Sequence, residues 1–320
     1  MTRERDIAWR LRKQAAELRG MDLTRLMDLA LETKLAGRGS QFALCSIINA
    51  KSGQCSEDCH FCVQSAHFVT QAPVYPFVDR QTILAAARQA KDSGAEHFSI
   101  VTSGRGLGRS DLRKVADCIA AIRAEVPIQV CASLGILTAS DFRLLKEAGL
   151  TRYHHNLEAG KEFFPRVVTT HGFQDRINTI RAARAAGIEV CAGGIFGLGE
   201  SEDDRISMAI SLAEEEVDSV PLNILIPLPG TPLASQPPIP VAEVLRSIAI
   251  YRLLMPGIPV RLAAGRETVL QDFLSAAFLG GADGMMIGGY LTERGRPPSK
   301  DLAFMREMVA IWEERMGRGQ

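Results

Sequence analysis

The segment "GQCSEDCHFCVQS", residues 53–65, carries Cys55, Cys59 and Cys62 in a C-x3-C-x2-C array. Thiolates bind zinc and iron–sulfur clusters, and the number of ligands separates the two. A structural zinc site closes with four ligands. No second C-x2-C pair is present, so His60 or His67 would have to supply the fourth. A closed ferredoxin-type cluster takes four cysteines. Three thiolates can instead hold three irons of a [4Fe–4S] cube and leave the fourth iron open to a small molecule. That reading fits three cysteines placed directly after an apolar run, "ALCSIIN" (43–49), that reads as a strand. The contrasting class is a non-catalytic metal-binding or scaffold protein, which requires a closed and unreactive site.

Chemistry of this kind needs a rigid frame. From residue 43 onward, short apolar runs alternate with amphipathic stretches. The strand candidates are "ALCSIIN" (43–49), "HFSIVTS" (97–103), "IQVCAS" (128–133), "RYHHNL" (152–157), "IEVCAGGI" (188–195), "VPLNILI" (220–226), "PVRLAA" (259–264) and "GMMIGG" (284–289). Helical stretches such as "DRQTILAAARQAKDSG" and "FQDRINTIRAARAAG" end in glycine just before the next strand. Glycine closes a helix in the left-handed conformation, so these joints read as repeated β-α units. About eight units predict an α/β fold, a (β/α)8 TIM-type barrel, with an N-terminal helical extension over 1–40 and the barrel over 41–320. An open doubly wound sheet would place a phosphate-binding glycine motif at its first turn. "TSGRGLGRS" (102–110) lacks that spacing.

Alternate residues of a strand share a face. One parity collects Cys45 and Asn49, Ser99 and Ser103, Gln129, Cys131 and Ser133, His154, Asn156 and Glu158, Cys191 and Gly193, Asn223, and Arg261. The other is apolar: Leu44, Ile100, Val130, Val190, Leu222, Ile224, Val260, Leu262. A buried polar group without a partner costs about 1–3 kcal/mol. The polar parity is therefore expected to line a binding chamber, and the apolar parity to pack on the helices. Cys118, in "VADCIAAIRAEV", reads as helix core, and His154 and His155 as satisfied core or rim residues.

Composition excludes other classes. Lys+Arg and Asp+Glu each total 37, so bulk charge recruits neither nucleic acid nor membrane. An odd count of seven cysteines is unlike a secreted disulfide framework and points to a reducing, cytoplasmic setting. The N-terminus "MTRERDIAWRLRKQAAELRG" lacks the apolar run of a signal peptide, and no stretch reaches the ~18 apolar residues of a membrane span.

The cysteine array, at the start of a barrel of this kind, resembles the radical S-adenosylmethionine (SAM) superfamily. "SIINAKSGQCSEDCHFCVQSAH", "YHHNLE", "GIEVCAGGIFGLGE", "VPLNILIPLPGTPL" and "VRLAAGRE", spanning about residues 44–267, resemble the biotin synthase family within it. The resemblance implies a [4Fe–4S] cluster on Cys55, Cys59 and Cys62, with SAM on the open iron. It implies a 5′-deoxyadenosyl radical acting on dethiobiotin, and an auxiliary iron–sulfur cluster donating sulfur. It also implies a flavodoxin- or ferredoxin-like electron donor and a homodimer, whose contacts the N-terminal helix could supply.

By position, the resemblance places Phe61 near adenine, Asn156 and Glu158 on the SAM ribose and the substrate, and Arg176 near SAM. Gly193 and Gly194 would let the backbone approach methionine. Asn223 would read the ureido ring of dethiobiotin, and Thr292 its carboxylate. Cys131, Cys191 and Arg261 match ligands of the auxiliary cluster. The chain departs from the better-known pattern at three positions: Glu158 stands where that form has aspartate, Ser99 where it has cysteine, and Cys45 where it has serine. The auxiliary cluster is therefore expected on Cys45, Cys131 and Cys191, either as the [2Fe–2S] type or as a larger cluster with an extra sulfide. Arg261 is left as either a ligand or a charge partner. Hydrogenase-maturation and pyrrolysine-pathway radical enzymes share such loops, without a need for Asn223, Cys131, Cys191 and Arg261 together.

Overall fold

The structure is a computed structural model; it describes residues 2–291 and 295–317, with side chains from residue 8 onward. Two helices, α1 (Thr2–Arg19) and α2 (Leu23–Arg38), precede the first strand. The strands are β1 (Ala43–Lys51), β2 (His97–Thr102), β3 (Gln129–Ser133), β4 (Arg152–His154), β5 (Glu189–Cys191), β6 (Gly194–Phe196), β7 (Val220–Ile224), β8 (Val260–Leu262) and β9 (Gly284–Met286). Between and after them run α3 (Arg80–Asp92), α4 (Arg109–Glu125), α5 (Ala139–Glu147), α6 (Phe173–Ala185), α7 (Glu202–Glu214), α8 (Val241–Leu254), α9 (Leu274–Leu279) and α10 (Pro298–Gly317).

All pairings are parallel, in the order β5-β4-β3-β2-β1-β9-β8-β7-β6. The two ends of that order, β5 and β6, are halves of one chain segment separated only by Ala192 and Gly193. Parallel bridges Glu158↔Gly194 and Cys191↔Ser219 tie each half to the far neighbour. The sheet thus closes on itself as an eight-fold barrel whose fifth wall is kinked, and an open sheet is ruled out. The predicted single strand over 188–195 is broken at Gly193 for a local reason. A Cβ there would sit 1.8 Å from the Pro221 carbonyl oxygen on β7, so the two segments pack backbone to backbone. The predicted strand over 152–157 is also shorter, ending at His154.

The helix–strand joints form as their glycines require. Gly94, Gly149 and Gly187 have φ of +83°, +100° and +70°. The next residue of each returns its N–H to the helix: Ala95 to Ala90 O (3.0 Å), Leu150 to Leu145 O (2.9 Å) and Ile188 to Ala183 O (3.1 Å). This is the six-to-one bond of a Schellman closure. Capping boxes Thr138/Asp141 and Ser201/Asp204 start α5 and α7.

The parity reading holds at the strands. Leu44, Ile100, Val130, Val190, Leu222, Ile224, Val260 and Leu262 all belong to the core between sheet and helices, whereas Cys45, Cys131 and Cys191 do not. Gln129 is the exception, exposed at the N-terminal end of β3. Cys118, on α4, is buried in the helix core as expected. Below the barrel, Phe42 stacks on Phe278 with Trp312 of α10 beside them, and Lys34 of α2 sits 3.0 Å over the Trp312 ring.

Candidate active site

The C-terminal ends of the strands open into a cavity of about 410 Å³. Cys55, Cys59, Cys62 and Phe61 line its mouth; Ser99, Ser133, His154, Asn156, Glu158, Arg176 and Asn223 line its wall. The cysteine array is folded by its backbone. Cys55 N–H donates to Gln64 O (3.0 Å), Ala66 N–H to Cys55 O (2.7 Å), and Cys62 N–H to Cys59 O (2.9 Å). The intervening acids anchor it to residues 169–171. Asp58 accepts from Thr169 N (2.9 Å), Thr170 N (3.2 Å), Thr170 Oγ1 (3.0 Å) and the Thr169 hydroxyl, which together hold its carboxyl well below the usual carboxylate range against burial. Glu57 shares the Thr170 hydroxyl proton with Asp58 (Oγ1 at 2.8 Å) and meets His171 Nδ1. Neither acid stood out in the sequence.

The three thiols are electrostatic neighbours. Burial pushes Cys59 up strongly and Cys62 up to about 11, each disfavouring the others' charge. Cys59 and Cys62 therefore favour the thiol until a cation displaces the proton. Among the described residues no three Cys, His, Asp or Glu side chains come together on a single ion. His67, one proposed zinc partner, is bonded through Nε2 to the Ser56 carbonyl (2.9 Å). Thiols on separate corners of a cube need share no single ion.

Behind the mouth, Asn156 Nδ2 donates to Glu158 Oε2 (3.3 Å), and its Oδ1 accepts from Gly193 N (3.2 Å). Arg176 Nη1 donates to Asn156 O (3.1 Å). Burial raises the Glu158 pKa, although Arg176 and Asn156 oppose it. Glu158 sits at φ +68°, a conformation that turns this short motif back into the cavity. Glycine at 193 and 194 has a packing reason that the sequence did not show. A Cβ at 194 would fall 2.3 Å from Met208 Sδ on α7, away from the cavity, and neither glycine lines the cavity. Asn223 is clamped, accepting from Ala264 N (3.1 Å) and donating to Gly194 O (3.3 Å). Thr292 lies outside the described residues.

The expectation that His154 and His155 are satisfied residues is corrected. Both face the cavity, and each has a buried Nε2 without a partner. Burial, then the positive charge of Arg152 and Arg261, lowers His154 to about 3, so its ring is neutral.

The floor lies one step further in. Cys45, Cys131 and Cys191 are almost fully buried free thiols. Register places them directly beneath cavity residues: Cys45 pairs with Met286, Cys131 with Ser99, and Cys191 with His154. They sense one another, and burial raises Cys45 and takes Cys131 up to about 12. Arg261 is 3% exposed, carries its charge beside Cys45, and leaves Nε and Nη1 without a hydrogen-bond partner. Ser99 Oγ is likewise unpartnered. Three buried thiols and unanswered donors at one level suit an anionic sulfur-rich group and suit an empty apolar core poorly.

The family model "Radical SAM superfamily" matches residues 51–212, and "Biotin and Thiamin Synthesis associated domain" matches 221–309. The chain therefore belongs to the radical SAM superfamily. The chain is 48% identical to biotin synthase of Heliobacterium modesticaldum, covering 92% of this chain and 90% of that one, and 46% identical to that of Geobacter sulfurreducens, covering 91% and 89%. Within the superfamily, it belongs to the biotin synthases. The solved structure of methylornithine synthase superposes with a TM-score of 0.80 at 18% identity, covering 94% of this chain and 95% of that one. The FeFe-hydrogenase maturase HydG from Carboxydothermus hydrogenoformans gives 0.79 at 17%, covering 96% and 78%. At such identities these two share the fold.

Proposed function

We propose that this chain inserts sulfur into dethiobiotin to form biotin, using SAM and two iron–sulfur groups at opposite ends of one lumen. The observation that carries the reading is the placement of two cysteine triads, Cys55/Cys59/Cys62 at the mouth and Cys45/Cys131/Cys191 at the floor, with Asn223 on the wall between. Bound at the mouth, a [4Fe–4S] cluster supplies the electron that cleaves SAM to methionine and a 5′-deoxyadenosyl radical. Bound at the floor, an auxiliary cluster supplies sulfur. It is a [2Fe–2S] cluster or a larger one with an extra sulfide.

The chain's own residues bind and exclude. Cys55, Cys59 and Cys62 give up their protons to hold the mouth group. Phe61 offers its ring to adenine. Asn156 and Glu158 offer an amide and a carboxylate to a ribose, and Arg176 holds the Asn156 carbonyl and sets a positive charge beside Glu158. Asn223, locked by Ala264 and Gly194, presents a fixed amide to the ureido ring, which makes it a reader and not a flexible contact. Thr292 is assigned to the substrate carboxylate. The close backbone packing at Gly193 leaves no gap between β5, β6 and β7, which helps keep water and stray hydrogen donors from a primary carbon radical. A flavodoxin- or ferredoxin-like donor, a homodimer and a cytoplasmic setting complete the reading. Among the described residues no helix is long and apolar enough to cross a membrane.

The test is anaerobic reconstitution with iron and sulfide, then reduction in the presence of SAM and dethiobiotin. Reductant-dependent 5′-deoxyadenosine together with biotin is expected. No 5′-deoxyadenosine would remove the radical reading; 5′-deoxyadenosine without biotin would remove the substrate.

A further inference from the structure

Beside the floor cysteines stands a second guanidinium. Arg152 opens β4, between β3, which carries Cys131, and β5, which carries Cys191. It pairs in register with Cys131 on one side and Glu189 on the other. Its parity is that of His154, Asn156 and Glu158, so it points into the lumen. Its side chain is 9% exposed. Nε and Nη2 are held by Glu189 Oε2 at 3.0 and 2.7 Å, whereas the third nitrogen, Nη1, is buried without a partner. A buried guanidinium nitrogen left unanswered costs free energy, and nature seldom leaves one so without a ligand.

We propose that Arg152 is a cofactor-contacting residue whose free Nη1 donates to the sulfur of the floor cluster from the wall opposite Arg261, and that Glu189, at the solvent-exposed N-terminal end of β5, tempers its charge. The inference rests on the reading that Cys45, Cys131 and Cys191 hold that cluster. Arg152 is in register with Cys131, and Cys45 and Cys131 both feel the charge of Arg152 and of Arg261, so two cations serve the thiol group. A cation and a hydrogen bond to sulfur both favour the reduced, more negative state, so Arg152 raises the reduction potential of the group it touches.

The test reads that potential. Wild type, Arg152→Met, Arg152→Lys and Glu189→Gln are reconstituted anaerobically, auxiliary iron and sulfide are counted, and the midpoint is followed by spectroelectrochemistry. Arg152→Met is expected to retain the mouth cluster and to shift the floor midpoint to more negative potential, with Arg152→Lys between it and wild type. Glu189→Gln leaves the guanidinium in place. Its shift is expected in the opposite direction and to be smaller, because the Glu189 side chain is 53% exposed and screened. A purely structural clasp between β4 and β5 predicts that both variants lower stability and move no potential, and that result overturns the proposal. If Arg152→Met fails to load iron, Glu189→Gln decides alone, and an unshifted midpoint there overturns it equally. A wild-type protein without auxiliary iron would be a separate failure, of the floor-cysteine reading itself.

Discussion

Asp58 connects the folding of the cysteine loop to its capacity to keep iron. Its carboxylate accepts three hydrogen bonds, from Thr169 N, the Thr169 hydroxyl and Thr170 N, and competes with Glu57 for the Thr170 hydroxyl proton, across 111 or more residues of sequence. Asp58→Ala removes all three and leaves two N–H groups to find water. Hydrogen bonds to a charged group contribute about 1.5–3 kcal/mol net, and neighbouring bonds do not add fully. The expected loss is about 2–3 kcal/mol, confined to the pairing of residues 55–65 with 169–171. At about 1.4 kcal/mol per tenfold, the open loop becomes roughly 30- to 140-fold more populated. Iron release into a strong chelator from anaerobic holoprotein should quicken by a similar factor, while the floor irons are kept. Asp58→Asn, which preserves shape and an acceptor, should show a smaller increase. Unchanged release from Asp58→Ala, with unchanged stability, would refute the anchoring argument.

Gly193→Ala should lose about 3 kcal/mol or more in denaturant unfolding, because the β7 backbone must retreat from a Cβ placed 1.8 Å from the Pro221 oxygen; a loss below 1 kcal/mol would contradict the packing reason. Asn223→Ala should raise KM for dethiobiotin while SAM cleavage persists, and cost roughly 1–3 kcal/mol for the orphaned Ala264 N–H; an unchanged KM would remove it as a reader. Burial, with repulsion from Arg252 and Arg38, outweighs Asp283 and lowers Lys34 to about 7 from 10.5. At Lys34 the unfolded chain then binds more protons between those values, so its contribution to stability should rise from pH 7 toward 10 and level off below 7. Lys34→Met should remove that slope in denaturant titrations at each pH.

The barrel was legible because its signals are local. Glycines at 94, 149 and 187 mark the helix ends they close, and alternation in β1–β9 separates Cys45, Cys131 and Cys191 from the helix core. What escaped depends on distant chain. The kink at Gly193 answers to Pro221, and Glu57 and Asp58 answer to residues 169–171, for which no local pattern exists. Arg152 carried the correct parity, yet a charge at a strand start reads as solvent-facing until Glu189 is seen to hold it in place. His154 and His155 look like satisfied core residues because an unpartnered Nε2 is visible only in three dimensions.

The account stands on two separate cysteine triads, each with its own iron. Mössbauer spectroscopy on iron-57-reconstituted protein measures this directly, comparing the triple alanine variant of Cys55, Cys59 and Cys62 with that of Cys45, Cys131 and Cys191. Each variant is predicted to lose one set of irons and keep the other's spectrum unaltered. A floor variant that retains the full wild-type iron complement, or a mouth variant that loses every iron, would contradict it.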